Sequence, residues 1–390
     1  MRMETQGKRE IQWSTVLVCL LAMLAVLGGM AYGGYAMRAQ QERAKESAAQ
    51  TLTLDEQADR ILASMSQTEK VGQIVMIGIH GTDVTDDSLY MLHQFHFGGV
   101  ILFDRNLQSK EQIRTLTSHL QEQAEEKVPL FIAIDEEGGD VVRGKDILTP
   151  PPSQQELGRA GAPAKAQDWA KRTGTMLKDL GINVNIAPVA DVGSPDRRSF
   201  SKDPQTVATF VEAAAAGYEQ AGEIYALKHF PGIGKGKVDS HQEISAVDAS
   251  MAVLQQEDLV PFQQRIAQGS SDKYFILVSH LKYPALDAEH PASQSKAIMT
   301  DLLRQKTGFT GLIITDDMEM GAVSKHGSYR DMGVKAILAG ADMVMMCHEY
   351  EHEQDIYMGI LDAVKDGTIS EDRLNDSVRR VLRAKLANLM

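Results

Sequence analysis

Residues 224–230 read IYALKHF. Four apolar residues in unbroken succession suit a strand buried on both faces, the condition of a parallel sheet covered by helices. A lysine and a histidine then stand at its end, where a strand gives way to a loop. Seven other runs have the same form: VGQIVMIGI (71–79), GGVILF (98–103), PLFIAID (129–135), INVNIAPVADV (182–192), YFILVSHL (274–281), GLIITDD (311–317) and DMVMMCH (342–348). Amphipathic stretches separate them, such as SKEQIRTLTSHLQEQAEE (109–126) and AKAQDWAKRTGTMLKDLG (164–181), whose final Gly181 is a helix stop before the next strand. Eight strand–helix units in one chain predict a (β/α)8 barrel. A doubly wound sheet is the rival, but it opens with a Gly-rich phosphate loop after its first strand, and GIHGTD (78–83) matches one poorly.

A barrel puts its chemistry at the C-terminal ends of its strands. Here those ends are polar. The third run ends in Asp135-Glu136-Glu137-Gly138-Gly139, and the fourth leads into Asp191 and then Arg197-Arg198. The fifth ends in Lys228-His229, the sixth in His280, the seventh in Asp316-Asp317. Five such ends on one face are more than turn capping requires.

Composition narrows the field. The chain has 390 residues, a net charge of -13 at pH 7, 43% hydrophobic and 24% charged residues, which is enough apolar surface for a large core. The acidic balance argues against nucleic acid as a partner. The two cysteines, Cys19 and Cys347, exclude a disulfide scaffold and a four-cysteine zinc site.

Residues 11–37 carry no charge and include VLVCLLAMLAVLGG (16–29), a run long enough to span a bilayer. Lys8 and Arg9 precede it; Arg38, Arg43 and Lys45 follow. Residues 1–37 read as a signal anchor or a secretory signal peptide, and 38–54 as a polar stalk. Residues 55–390 are then a barrel domain outside the cytoplasm, anchored to the membrane or secreted.

Five motifs give the chain a relative. KHFPGIGKGKVDSH (228–241) resembles the KHFPGHG…DSH signature of glycoside hydrolase family 3, in its β-N-acetylglucosaminidase branch. IDEEGG (134–139), RSFSKDP (198–204), GLIITDDMEM (311–320) and SMSQTEKVGQIVMIG (64–78) resemble that branch's other segments, in the same order. The resemblance implies a (β/α)8 barrel and a retaining exo-glycosidase, which needs a carboxylate nucleophile and an acid/base. It assigns the nucleophile to Asp316, with Asp317 a helix cap. It assigns the acid/base to His241, paired with Asp239, whose carboxylate would stabilise the imidazolium and orient the ring. Asp135 would accept hydrogen bonds from sugar hydroxyls; Arg143, Arg198, Lys228 and His229 would hold hydroxyls and the N-acetyl side of the ring. His280 reads equally as a strand-end structural residue and as a substrate contact. No cofactor and no metal come with the resemblance; the partner it implies is a small carbohydrate such as an N-acetylglucosaminyl cell-wall fragment, with membrane contact through the N-terminal segment.

The motifs also depart from the pattern. Ile233 replaces the histidine of PGHG, Asp140 replaces the arginine that follows EGG, and Lys235, Gly236 and Lys237 make the loop more basic. Other readings stand beside the first. Asp135, His229, Asp239, His241, His280 and Asp316 supply ligand types for a metal-dependent barrel hydrolase, although the first strand end offers only His80 and no H-x-H. A non-catalytic wall-binding protein is a third. Related β-glucosidases and xylosidases take their acid/base from a second domain, whereas about 42 residues follow the eighth run here and read as terminal helices. A histidine acid/base is also compatible with phosphate as the acceptor.

Overall fold

The computed structural model describes residues 37–38, 52–124, 128–236, 245–269, 271–324 and 327–390. The chain divides into two compact units, Met1–Thr53 and Leu54–Met390. The apolar run before residue 37 and most of the stalk lie outside the described residues; among the described residues no helix is long and apolar enough to cross a membrane.

Eight parallel strands form a closed barrel, and each of the eight apolar runs supplies one. They are β1 (Val75–Gly78), β2 (Gly99–Leu102), β3 (Phe131–Ile134), β4 (Val184–Asn185), β5 (Ile224–Phe230), β6 (Tyr274–Val278), β7 (Leu312–Asp317) and β8 (Met343–Met346). They are hydrogen-bonded in the closed order β1-β8-β7-β6-β5-β4-β3-β2. The strands are buried along nearly their whole length, as expected when side chains fill the interior and helices cover the outside. Edge contact between Phe131 of β3 and Phe275 of β6, with ring centroids 5.1 Å apart, marks the filled centre.

Two runs are shorter than their apolar content. In the first, residues Gln67–Gln73 form a helix. Ser66 caps it: its hydroxyl accepts the Glu69 amide, and the Glu69 carboxylate accepts the Ser66 amide at 2.5 Å. That local signal outweighs the apolar pattern, and the strand begins only at Val75. In the fourth run Pro188 lacks an amide to give the ladder, so pairing with β5 lapses and resumes at a single bridge, Val189 with Lys228.

Two hairpins sit on the barrel's C-terminal side. Glu136–Gly138 pairs with Val141–Val142 after β3, and Lys282–Tyr283 pairs with Asp287–Pro291 after β6. The turn of the first runs through Gly138 (φ 104°) and Gly139 (φ 63°), a left-handed path that glycine takes without steric cost; a Cβ on Gly138 would meet the Pro152 carbonyl oxygen at 2.4 Å. The last 42 residues do form helices, Tyr350–Lys365 and Glu371–Asn388. The final one lies against the helix Leu54–Ser64, where Arg379 pairs with Asp59 at 2.7 Å and Arg383 pairs with Asp55.

Candidate active site

The polar strand ends converge on a cavity of about 430 Å³. Asp135, Arg143, Arg198, Lys228, His229 and Asp316 all line it. The volume falls in the range of small-molecule sites, roughly 300–1,000 Å³. In the closed order β3 and β7 are four strands apart in either direction. Asp135 and Asp316 therefore stand at opposite sides of the barrel mouth.

The side of the cavity near β3 is an ion network. Asp135 and Glu137 are two residues apart, so the extended chain turns both toward the cavity and Glu136 away from it. Lys228, at the end of β5, reaches both carboxylates: 2.7 Å to Asp135 Oδ1 and 2.5 Å to Glu137 Oε1. Arg198, on the loop after β4, grips Glu137 with a two-pronged fork, Nε and Nη2 each at 2.8 Å. The Nη2 group also donates to His229 Nε2 at 3.1 Å. That fixes the tautomer, because the ring must then carry its proton on Nδ1, which donates to Asp191 Oδ2 at 2.8 Å. Asp191 Oδ1 accepts from the amides of His229 (3.2 Å) and Ile233 (2.9 Å). The Arg143 guanidinium packs over Phe103 and stands 3.5 Å from Asp135 Oδ2.

Three carboxylates (Asp135, Glu137, Asp191) thus meet three cations (Arg143, Arg198, Lys228). For Asp135, Glu137, Asp191, Arg198 and Lys228 burial opposes the charge, and the neighbouring groups and hydrogen bonds prevail. Lys228 and Arg143 hold the Asp135 carboxyl below its ordinary range, and Lys228 and Arg198 do so for Glu137. His229 and the two amides do the same for Asp191, while Asp135 and Glu137 hold the Lys228 ammonium above its own. The network is charged and balanced. Among the described residues, Asp135 Oδ2 has one long contact, to Arg143 at 3.5 Å, and is available as an acceptor to a hydroxyl. Glu136, on the other face, is different: burial pushes it up to about 7, against the pull of the Gly144 and Arg143 amides.

The side near β7 carries Asp316, whose Oδ1 accepts the Asp317 amide at 2.9 Å. His280 is engaged on both ring nitrogens. Ser293 Oγ lies 2.7 Å from Nδ1, and Nε2 donates to the Asp317 carbonyl at 2.8 Å. His280 thus lines the cavity with both ring nitrogens engaged, as His229 does. Asp239 and His241 lie outside the described residues.

The two departures are accommodated. Ile233 lines the cavity, and its contact with Asp191 is made by its backbone. Asp140 pairs with Arg197 at 3.4 Å on the exposed rim. Four further residues belong to the site beyond those the motifs nominate: Glu137, Asp191, Asp317 and His348. Glu137 was findable from the two-residue period after Asp135, and Asp191 from its polar place at a strand end.

The chain matches the family described as Glycosyl hydrolase family 3 N terminal domain over residues 66–384. It is 35% identical over 326 residues to Beta-hexosaminidase A of Pseudoalteromonas piscicida, covering 76% of this chain and 54% of that protein. It is 34% identical over 285 residues to Beta-hexosaminidase of Haemophilus influenzae (strain ATCC 51907 / DSM 11121 / KW20 / Rd), covering 71% and 80%. The fold superposes, with a TM-score of 0.80 and 36% identity, on a glycoside hydrolase family 3 beta-N-acetylglucosaminidase from Paenibacillus sp. str. FPU-7, covering 83% of this chain and 63% of that one. It also superposes on M tuberculosis LpqI with a TM-score of 0.75 and 29% identity, covering 82% and 94%. The chain thus spans about half the length of the first of these relatives and most of the length of the second and fourth. A match across four-fifths of the sequence, on a closed eight-stranded barrel with its polar residues gathered at one mouth, places this chain in glycosyl hydrolase family 3.

Proposed function

We propose that the protein is a retaining exo-β-N-acetylglucosaminidase that releases terminal N-acetylglucosamine from cell-wall glycosides. The observation that carries this reading is the pairing of a charge-balanced hydroxyl-binding network with a carboxylate, Asp316, on the opposite side of one small cavity. The names of the relatives support the sugar.

In the mechanism this implies, the terminal sugar enters with its hydroxyls against Asp135, Arg143, Arg198, Lys228 and His229. Asp135 Oδ2 accepts, and Arg143, Arg198 and Lys228 donate. Asp316 attacks the anomeric carbon, and the bond to the leaving oxygen breaks as His241 gives that oxygen a proton. The covalent glycosyl–Asp316 is then hydrolysed by a water that His241, now neutral, deprotonates. Asp239 stabilises the imidazolium between turnovers of the proton. On the same reading, residues 1–37 export the domain and hold it at the cell envelope or are removed from it.

Release of 4-nitrophenol from its β-N-acetylglucosaminide by the full chain tests this, beside Asp316→Asn and the β-glucoside, with phosphate varied. Turnover of the N-acetyl substrate alone, lost in the variant, is expected. Equal turnover of both sugars would overturn the sugar assignment. Undiminished activity in Asp316→Asn would overturn the nucleophile, and a rate that requires phosphate would make phosphate the acceptor.

A further inference from the structure

Asp317 is held from four directions. Its carbonyl accepts from His280 Nε2 at 2.8 Å, and its Oδ1 accepts from the Glu319 amide at 3.1 Å. Its Oδ2 lies 3.2 Å from His348 Nε2, and its own amide donates to Asp316 Oδ1 at 2.9 Å. Only the last of these touches Asp316. The other three fix the peptide that delivers it.

His348 is the distant member, two residues past the end of β8. It is itself braced. The Glu319 carboxylate accepts the amides of Cys347 (3.0 Å) and His348 (2.5 Å), so the chain of β8 is tied to the chain of β7 just past Asp317. Arg105, on the turn after β2, donates to the Cys347 carbonyl at 2.6 Å and to His348 Nδ1 at 3.1 Å. An arginine can only donate, so Nδ1 accepts and the proton sits on Nε2, aimed at Asp317. The His348 carbonyl is tied in turn to His80 Nε2 at 2.6 Å, after β1. Strands β1, β2, β6, β7 and β8 all contribute to holding one residue, and that residue is the neighbour of Asp316.

We propose that His348, braced by Arg105 and Glu319, is a positioning residue for catalysis: by holding the Asp317 carboxylate it aims the Asp317 amide at Asp316 and fixes the attacking oxygen. This rests on Asp316 being the nucleophile. It requires no contact between His348 and the sugar. A nucleophile held at the wrong distance or angle slows attack without weakening the binding of the ground state, and a misplacement near 1 Å can cost about 10²-fold.

The test uses the full chain and 4-nitrophenyl β-N-acetylglucosaminide. His348→Ala is expected to lower kcat about 10- to 100-fold with KM unchanged within about threefold. His348→Gln, whose amide N–H can still donate to Asp317, is expected to recover most of that loss. Asp317→Asn keeps the shape, leaves the His348 proton opposite an amide, and is expected to reproduce the kcat loss even where the Ala variant folds poorly. A KM increase at constant kcat in His348→Ala would show a substrate contact and overturn the proposal. So would equal loss in the Ala and Gln variants, or wild-type kinetics in Asp317→Asn. If the unmodified chain turns over no N-acetylglucosaminide, the functional reading falls first, and that result is distinguishable because it appears without any substitution.

Discussion

Glu137 and Lys228 face each other at 2.5 Å, and both side chains are almost fully withdrawn from solvent. Neither charge could stay there alone. The Arg198 fork completes the shell around Glu137, and Asp135 completes the shell around Lys228. This pair links the hairpin after β3 directly to β5, across the short β4.

Glu137→Gln should therefore be costly twice. It leaves two buried cations facing a neutral amide, and removing one member of a buried ion pair costs about 3–5 kcal/mol. It also frees Arg198 and Lys228 from their positions, which is expected to lower kcat/KM on the order of 10²-fold. Thermal unfolding and steady-state kinetics on the same preparation check both. A variant with an unchanged melting temperature would show that the network is not structural.

Asp191→Asn carries a subtler penalty. An amide whose oxygen faces the backbone donors turns its N–H toward His229 Nδ1, and the ring must then move its proton to Nε2. There it meets the N–H of Arg198, which is now donating into a donor. Loss of one charge-assisted hydrogen bond is worth about 1.5–3 kcal/mol, so kcat/KM should fall about 10- to 100-fold. If the kinetics match the unmodified protein, the inferred tautomer is wrong.

Gly234 passes close beneath the chain after β4: a Cβ there would meet the Val192 carbonyl oxygen at 2.0 Å. Gly234→Ala must displace one backbone or the other, just before the segment that contains Asp239 and His241. The expected result is a drop in kcat of at least about tenfold with the barrel still folded, seen as retained circular dichroism beside lost turnover.

Glu353 offers a prediction in the opposite direction. It is fully buried; Oε1 accepts the Gly78 amide at 3.1 Å, and among the described residues Oε2 has no hydrogen-bond partner. Burial, with the nearby Glu319 charge adding to it, pushes its carboxyl from 4.5 up to about 9. The folded protein keeps a proton that the unfolded chain sheds. Folding therefore loses stability as pH rises from about 4.5 to about 9, at about 1.4 kcal/mol per pH unit. Glu353→Gln keeps the acceptor for Gly78 and never ionises. It should be the more stable protein at pH 7, by up to about 3 kcal/mol, with the advantage vanishing near pH 4.5. Denaturant melts of both proteins at pH 5, 7 and 8.5 would expose an advantage that failed to grow with pH.

Much of this is legible in the sequence. Eight apolar runs are the direct imprint of strands buried on both faces, and the polar residues at their ends announced the mouth. The strand limits were less so. SQTE at 66–69 is a helix-capping signal inside an apolar stretch, and Pro188 ends a ladder that composition alone would extend. The hidden members of the site were hidden for different reasons. Glu137 is one period from Asp135 and could have been read. His348 reaches Asp317 across 31 residues of sequence, and only the pairing of β7 with β8, where Asp317 lies opposite Met345, brings them together.

The last helix, Glu371–Asn388, clasps Leu54–Ser64 through Arg379 with Asp59 and Arg383 with Asp55. The two ends of the barrel domain are therefore neighbours, within reach of a short linker. Joining residue 390 to residue 54 and opening the chain at an exposed loop on the face away from the cavity would leave every strand pairing intact. The closed sheet has no privileged starting strand: the order in which its segments are synthesised is a historical fact about this polypeptide, and the polar mouth does not depend on it.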